Sequence, residues 1–338
     1  MNRRDETKAR CLGLKFDITC TDDVSLDKMG NMTPHICCYT DKNFATVRAS
    51  DPSSRLALGY AELFVDIAAS DPSRDFFSDP PPDADSETRS YHSLLSRSHN
   101  REEQTLVEES FGQHISYVIE IFARQPRVFL YTVYMVGSRA RLLRWDRSGF
   151  VVSESFDIRE RPEVLCEFLW RFSLTAIGGQ GHDMSISVAS PGEEAIFCEV
   201  VKKHVLSQLG PGEDVDKAMA QHYEPGRVFA AAVLPQGFTT VEENICRILF
   251  SRPVITPLYL TGRATWGCWA VDVATERIVF LKDTWQYFED REPEGVILRR
   301  FSDIGVSHVP SVVWHGYVAE WFPKKARKLT RESPNYLR

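Results

Sequence analysis

Between Gln104 and Arg124 the chain repeats apolar residues at steps of three and four: Leu106, Val107, Phe111, Ile115, Val118, Ile119 and Phe122. That spacing places them on one face of a helix, which needs a sheet or another helix to cover it. Pro126 ends the helix, because it lacks an amide donor and restricts the residue before it. The period then changes. Val128–Val136, Ala140–Trp145 and Phe150–Ser155 read as strands, with Gly137-Ser138 and Arg147-Ser148-Gly149 as the turns between them. A long amphipathic helix followed at once by an antiparallel meander makes the first half a mixture of helix and sheet.

Upstream, residues 1–30 are polar and lack a period, while Pro34–Tyr39 and Tyr60–Ala68 are short β-type runs. The stretch from Asp71 to Arg101 turns to Asp, Ser, Pro and Arg, includes Pro80-Pro81-Pro82, and is expected to be a mobile loop. Downstream, a helix is predicted over 162–172, with proline at a permitted first-turn position. Gly178-Gly179-Gln180-Gly181 follows as a flexible junction. Beyond it the pattern predicts a helix over 193–209, strands near 228–234, 245–250, 257–260, 268–273 and 278–282, and a helix over 293–302. The expected organisation is a polar tail (1–30), a first domain (31–190, with the loop 71–101), a second domain (191–318) and a basic tail (319–338).

Several function classes drop out on composition. The 338 residues carry a formal net charge of −7, which argues against a broad nucleic-acid-coating surface, so no nucleic-acid partner is expected. No run of eighteen apolar residues exists, and the first residues, Met1 to Glu6, do not read as a secretory signal. Eight cysteines are scattered without C-x-x-C pairing and read as reduced thiols, which implies an intracellular protein, cytoplasmic or nuclear. Cys37 and Cys38 are adjacent, and the nine histidines show no H-E-x-x-H, so no metal centre is expected. G-x-S-x-G is absent as well. Arg139, Arg141, Arg144 and Arg147 surround one hairpin, where alternate positions point to opposite faces, so exposed charges and ion-pair partners are expected there rather than one patch. Lys324-Lys325-Ala326-Arg327-Lys328 is a basic tail of the kind that can serve nuclear import.

Chemistry concentrates near the end. Thr261-Gly262-Arg263-Ala264-Thr265-Trp266-Gly267-Cys268-Trp269-Ala270-Val271 reads as a strand entering a glycine-bearing turn and returning. Arg277–Trp285 then supplies a strand that carries Lys282. Glycines let backbone amides approach phosphate oxygens, a lysine on the next strand can reach the same phosphates, and a carboxylate on the following helix can hold that lysine. Glu294 is the first candidate for that carboxylate, with Glu289 and Glu292 competing.

Gly262-Arg263-Ala264-Thr265 followed by Phe280-Leu281-Lys282-Asp283-Thr284-Trp285 resembles the fungal-type protein kinases. Ser251-Arg252-Pro253, the stretch from Arg141 to Gly149, and Glu167–Ser173 are similar to the same family, so the resemblance runs from about residue 31 to 318. It implies that Gly262 and Gly267 cover phosphates, that Lys282 is the ATP lysine and that Glu294 is its helix partner. Kinase chemistry also needs a catalytic-loop Asp and a D-F-G Asp, yet no His-x-Asp or Asp-Phe-Gly occurs in this sequence. Too few residues follow Lys282 for a large lobe. The expectation is a truncated, catalytically inactive member with weak ATP contact, whose uncovered small-lobe face takes a protein partner.

The family's N-terminal region looks like a PD-(D/E)xK nuclease-type fold, whose acids hold a divalent metal while a lysine activates water. At the matching positions this chain has His35 for the first acid, Asp66 for the second and Ala68 for the lysine. The helix text Gln113-x-x-x-Tyr117 is intact. The set looks degraded, and a metal-dependent nuclease is the alternative reading. The expected fold class is therefore α+β: a nuclease-like α/β domain followed by an incomplete kinase-like small lobe with an antiparallel sheet.

Overall fold

The computed structural model describes residues 10–19, 34–49, 56–68, 72–233, 246–285, 292 and 294–315. The chain divides into two compact units. One comprises Met1–His182 with Pro257–Ala264, the other Asp183–Thr256 with Thr265–Arg338. The division after His182 follows directly on the glycine-rich junction and precedes the boundary expected at residue 190.

In the first unit the elements run β1 (Leu14–Ile18), β2 (Ile36–Thr40), α1 (Asp41–Ala49), α2 (Leu56–Tyr60), β3 (Leu63–Ala68), α3 (Ser86–Tyr91), α4 (Arg101–Arg124), β4 (Phe129–Val136), β5 (Arg139–Asp146), β6 (Gly149–Val152), β7 (Phe156–Asp157) and α5 (Pro162–Leu174). The strands form one sheet in the order β1-β2-β3-β4-β5-β6, with β7 added beside β5. Only β3 and β4 pair in parallel, and α4 lies in the connection that such a pairing requires.

Helix α4 starts where Asn100 accepts a hydrogen bond from the Glu102 amide, and Glu102 and Glu103 place negative charge in its first turn. Its apolar stripe, Val107, Tyr117, Val118, Ile121 and Phe122, packs with Cys37, Phe64, Leu130, Tyr134 and Trp145 on one face of the sheet. On the other face Leu169 and Phe172 of α5 pack with Cys38, Leu63, Val65, Val133 and Met135. Adjacent cysteines on β2 thus enter opposite cores, as strand alternation requires. Burial pushes the thiol pKa of Cys37 up to about 11 and raises that of Cys38 as well.

Within the stretch expected as a mobile loop, Phe76 and Phe77 are buried, and the Phe76 ring lies 4.0 Å from that of Tyr134. A bridge between Phe77 and Leu95 and the short α3 order the remainder. Gly181 closes the glycine-rich junction with φ +101, and its carbonyl accepts from the Val128 amide. A Cβ there would collide with the Phe129 carbonyl. Gly181→Ala therefore combines left-handed strain with a backbone clash, and a loss of roughly 1–3 kcal/mol is expected in a urea unfolding curve.

The second unit holds β8 (Ile186–Val188), α6 (Pro191–Gln208), α7 (Val215–Met219), β9 (Phe229–Val233), β10 (Cys246–Phe250), β11 (Trp266–Asp272), β12 (Arg277–Asp283) and α8 (Glu294–Asp303). The five strands form an antiparallel sheet in the order β12-β11-β10-β9-β8. Helix α6 opens on a capping box between Ser190 and Glu193 and lays Phe197, Val201 and Val205 against Ala230, Leu249 and Val271. The opposite face gathers Ile248, Phe250, Cys268 and Ala270.

The segment 257–260, expected as a strand, forms no ladder. Leu260 joins the core of the first unit, while Leu258 and Tyr259 are exposed. The strand that enters the glycine-bearing connection is β10. Ser251 anchors its end by donating to the Arg227 carbonyl and accepting from the Glu224 amide.

Candidate functional site

In the second unit, pairing of β11 with β12 sets Gly267 opposite Lys282 and Trp269 opposite Phe280. Lys282, Phe280 and Ile278 share one face of β12, the face against which α6 packs through Ile278. Helix α8 follows β12 and brings Glu294 back to it, with Lys282 Nζ 2.7 and 2.6 Å from the two carboxylate oxygens. The side chains are 39% and 46% exposed. Glu292 pairs instead with Arg300, and Glu289 lies outside the described residues. No described residue of α8 is buried, and Ile304, Val306, Val313 and Trp314 just beyond it are exposed.

The two glycines serve different ends. Gly262 belongs to the first unit, adopts φ +94 and has open space around it. Gly267 lies in the second unit and exchanges backbone hydrogen bonds with Ile255. A Cβ on Gly267 would sit 2.9 Å from the Phe280 ring and 3.4 Å from Ile255 Cβ. Phe280 meets Trp269 edge to face at 5.5 Å, and His204 of α6 lies 5.3 Å from Trp269 on the other side.

Of the five positions expected for a nuclease-type site in the first unit, His35 and Asp66 meet, at a buried carboxylate. His35 directly precedes β2 and Asp66 lies on β3, which pairs with β2. Asp66 Oδ1 is 3.2 Å from His35 Nδ1, and Oδ2 is 2.9 Å from His114 Nδ1. The chain of contacts continues from His114 Nε2 to Thr132 Oγ1 at 3.1 Å, and Thr132 Oγ1 accepts from Trp145 Nε1 at 2.9 Å. One assignment satisfies every group. His114 donates through Nδ1–H to Asp66 and accepts at Nε2 from the Thr132 hydroxyl. Burial would raise the Asp66 pKa, but hydrogen bonds from His114 and His35 outweigh it and hold the carboxyl at about 2. His35 Nδ1 is also 3.1 Å from the Ile67 amide. It accepts from that amide when bare and donates to Asp66 when it carries a proton, and cannot do both.

Gln113 and Tyr117 bond to each other, Nε2 to Oη at 2.5 Å, and Ala68 packs half-buried against the core. An imidazole nitrogen thus lies within 3.2 Å of each Asp66 oxygen, and among the described residues no group of three His, Cys, Asp or Glu is placed to hold a metal ion. Sequence reasoning passed over His114, although 107, 111, 114, 118 and 121 fall on one helical face, a spacing that signals burial.

The four hairpin arginines are individually engaged. Arg139 and Arg141 reach Asp79, Arg144 pairs with Asp146 and covers Phe129, and Arg147 lies over Phe122. The ion pairs of Arg139, Arg141 and Arg144 are as expected and Arg139 is exposed, but Arg141 and Arg147 are buried rather than exposed charges. The basic segment 324–328 lies outside the described residues.

An antiparallel sheet carrying a strand lysine that is ion-paired to a glutamate on the next helix is compatible with a kinase-like fold. The model of the fungal protein kinase family matches residues 82–333, which span parts of both units, and the chain belongs to that family. No curated protein and no solved structure matches it. No helix among the described residues is long and apolar enough to cross a membrane.

Proposed function

We propose that the second unit acts as a kinase small lobe that contacts the phosphates of a nucleoside triphosphate through Lys282, held by Glu294. The observation that carries this reading is the ion pair between β12 and α8, with both carboxylate oxygens within 2.7 Å of Nζ. A lysine fixed in this way presents its charge to phosphate oxygens without first being ordered. These 338 residues contain no His-x-Asp and no Asp-Phe-Gly, so in this reading they bind nucleotide weakly and do not transfer a phosphoryl group by themselves. The first unit is read as a nuclease-type frame whose acid has been turned to structural use, since Asp66 is buried with an imidazole nitrogen against each oxygen.

The test is thermal unfolding of the chain with rising ATP and Mg²⁺, beside Lys282→Met. Binding adds RT ln(1 + [L]/Kd) to stability, so millimolar affinity registers at high ligand. The melting temperature is expected to climb for the parent and stay flat for the variant. Because both side chains are more than a third exposed, Lys282→Met by itself should alter stability by less than ~1 kcal/mol, so a lost shift reports binding. Equal shifts in both proteins, or none in either, would remove the assignment.

A further inference from the structure

The residues that share Lys282's face raise a second question, which concerns the other end of the nucleotide. On β11 the position opposite Lys282 is Gly267, and a glycine there leaves a gap on that face. The gap is filled from within the protein. The Phe280 ring reaches diagonally across the strand pair to 2.9 Å from where a Gly267 Cβ would be, and Ile255 closes the same point at 3.4 Å. Trp269, opposite Phe280, props that ring edge to face, and His204 of α6 stands against Trp269. From α6 to Lys282 the face is thus a row of packed rings. Gly267 is a seat for Phe280, whose ring fills the space that the missing side chain opposite Lys282 leaves.

We propose that Phe280 determines which part of a nucleotide this site accepts: its ring excludes the base, so that Lys282 takes only the polyphosphate end. This rests on the reading that Lys282 contacts phosphates. A nucleoside triphosphate and inorganic tripolyphosphate then bind alike. Trimming the ring opens the gap beside Gly267 to a base, which gains stacking and burial against Trp269. Phe280 is 43% exposed, so the strand tolerates a smaller side chain there. Valine suits a strand position, and leucine keeps more of the apolar contact.

The experiment is isothermal titration of the full chain with ATP and with inorganic tripolyphosphate, each with Mg²⁺, for the parent, Phe280→Val, Phe280→Leu and Lys282→Met. Expected are affinities within about twofold of each other in the parent. In Phe280→Val, ATP should tighten by about tenfold or more while tripolyphosphate stays unchanged, the scale of stacking one base. Phe280→Leu should fall between, and serves in its place if the valine variant does not fold. Lys282→Met should lose both ligands.

If tripolyphosphate binds through Lys282 but trimming Phe280 leaves the ratio of the two affinities unchanged, the exclusion is wrong while the lysine assignment stands. A parent that prefers ATP tenfold, and loses that margin when Phe280 is trimmed, would make the ring a stacking platform and overturn the proposal. Tripolyphosphate binding that is absent, or that survives Lys282→Met, would sink the lysine assignment and the exclusion together.

Discussion

Arg127→Met is expected to destabilise the first unit by about 3–5 kcal/mol, the cost of leaving a buried charge without its partner. Arg127 lies at the start of the chain segment leading into β4, with its side chain fully enclosed. It donates to Glu62 Oε2 at 2.7 Å, to the Gln180 carbonyl at 3.0 Å and to Gln125 Oε1 at 2.8 Å. Glu62, just before β3, also meets His182 Nε2 at 2.7 Å. Burial pushes the Glu62 carboxyl up, yet Arg127 and His182 outweigh it and hold it at about 2, against an ordinary 4.5. A depressed carboxylate pKa stabilises the fold above the ordinary value, and the gain drains away as pH falls from about 4.5 towards 2. In Arg127→Met the burial effect prevails, so the variant should lie furthest below the parent at neutral pH and close part of the gap in acid, where Glu62 is protonated. Urea unfolding across pH 3–7 measures this, and a constant gap would refute it. The double change Glu62→Met with Arg127→Met should recover part of the loss, because a well-packed apolar pair replaces the ion pair. The Gln180 carbonyl and Gln125 Oε1 would still lose their Arg127 donor, while the Ala61 carbonyl keeps the one from Gln125 Nε2.

What could be read in advance divides along the range of the interactions. The stripe of α4, its end at Pro126 and the β4–β5–β6 meander follow from local period and turn chemistry, and they stand within a few residues of expectation. Glu294 was within reach because it lies at the start of the helix predicted to follow the lysine strand, twelve positions after Lys282. The buried pairs were not. Asp66 and His114 are 48 positions apart, and Glu62 and Arg127 are 65 apart; spacing along the chain carries no information about such meetings. Pro257-Leu258-Tyr259-Leu260 has a strand's composition but became a loop. It buries Pro257 and Leu260, the latter in the core of the first unit to which the segment belongs, a choice that tertiary packing makes over propensity. Polar composition around Phe76 and Phe77 hid two core residues, for which the paired phenylalanines were the one available signal.

The buried relay around Asp66 permits a sharper test than stability alone. Asp66→Ala leaves the His114 Nδ1–H without an acceptor at a fully enclosed position, and a cost of roughly 2–3 kcal/mol is expected from the unsatisfied donor and lost volume. Asp66→Asn keeps the shape but replaces one acceptor oxygen by an NH₂ donor. If that amide nitrogen faces His114, two donors oppose each other, and the imidazole resolves the conflict by changing tautomer. Nδ1 then accepts from the asparagine, and Nε2–H donates to Thr132 Oγ1, whose second lone pair still takes the Trp145 indole. The asparagine variant should therefore be less damaged than the alanine one, and nitrogen NMR of the His114 ring should show the proton moved from Nδ1 to Nε2. The parent's dependence on Asp66 should fade as pH falls from 3.8 towards 2, since its carboxyl is held down at about 2. An unchanged tautomer with full stability in Asp66→Asn would mean that the amide oxygen alone serves His114, and that the second oxygen of Asp66, the one shared with His35, contributes little to the fold.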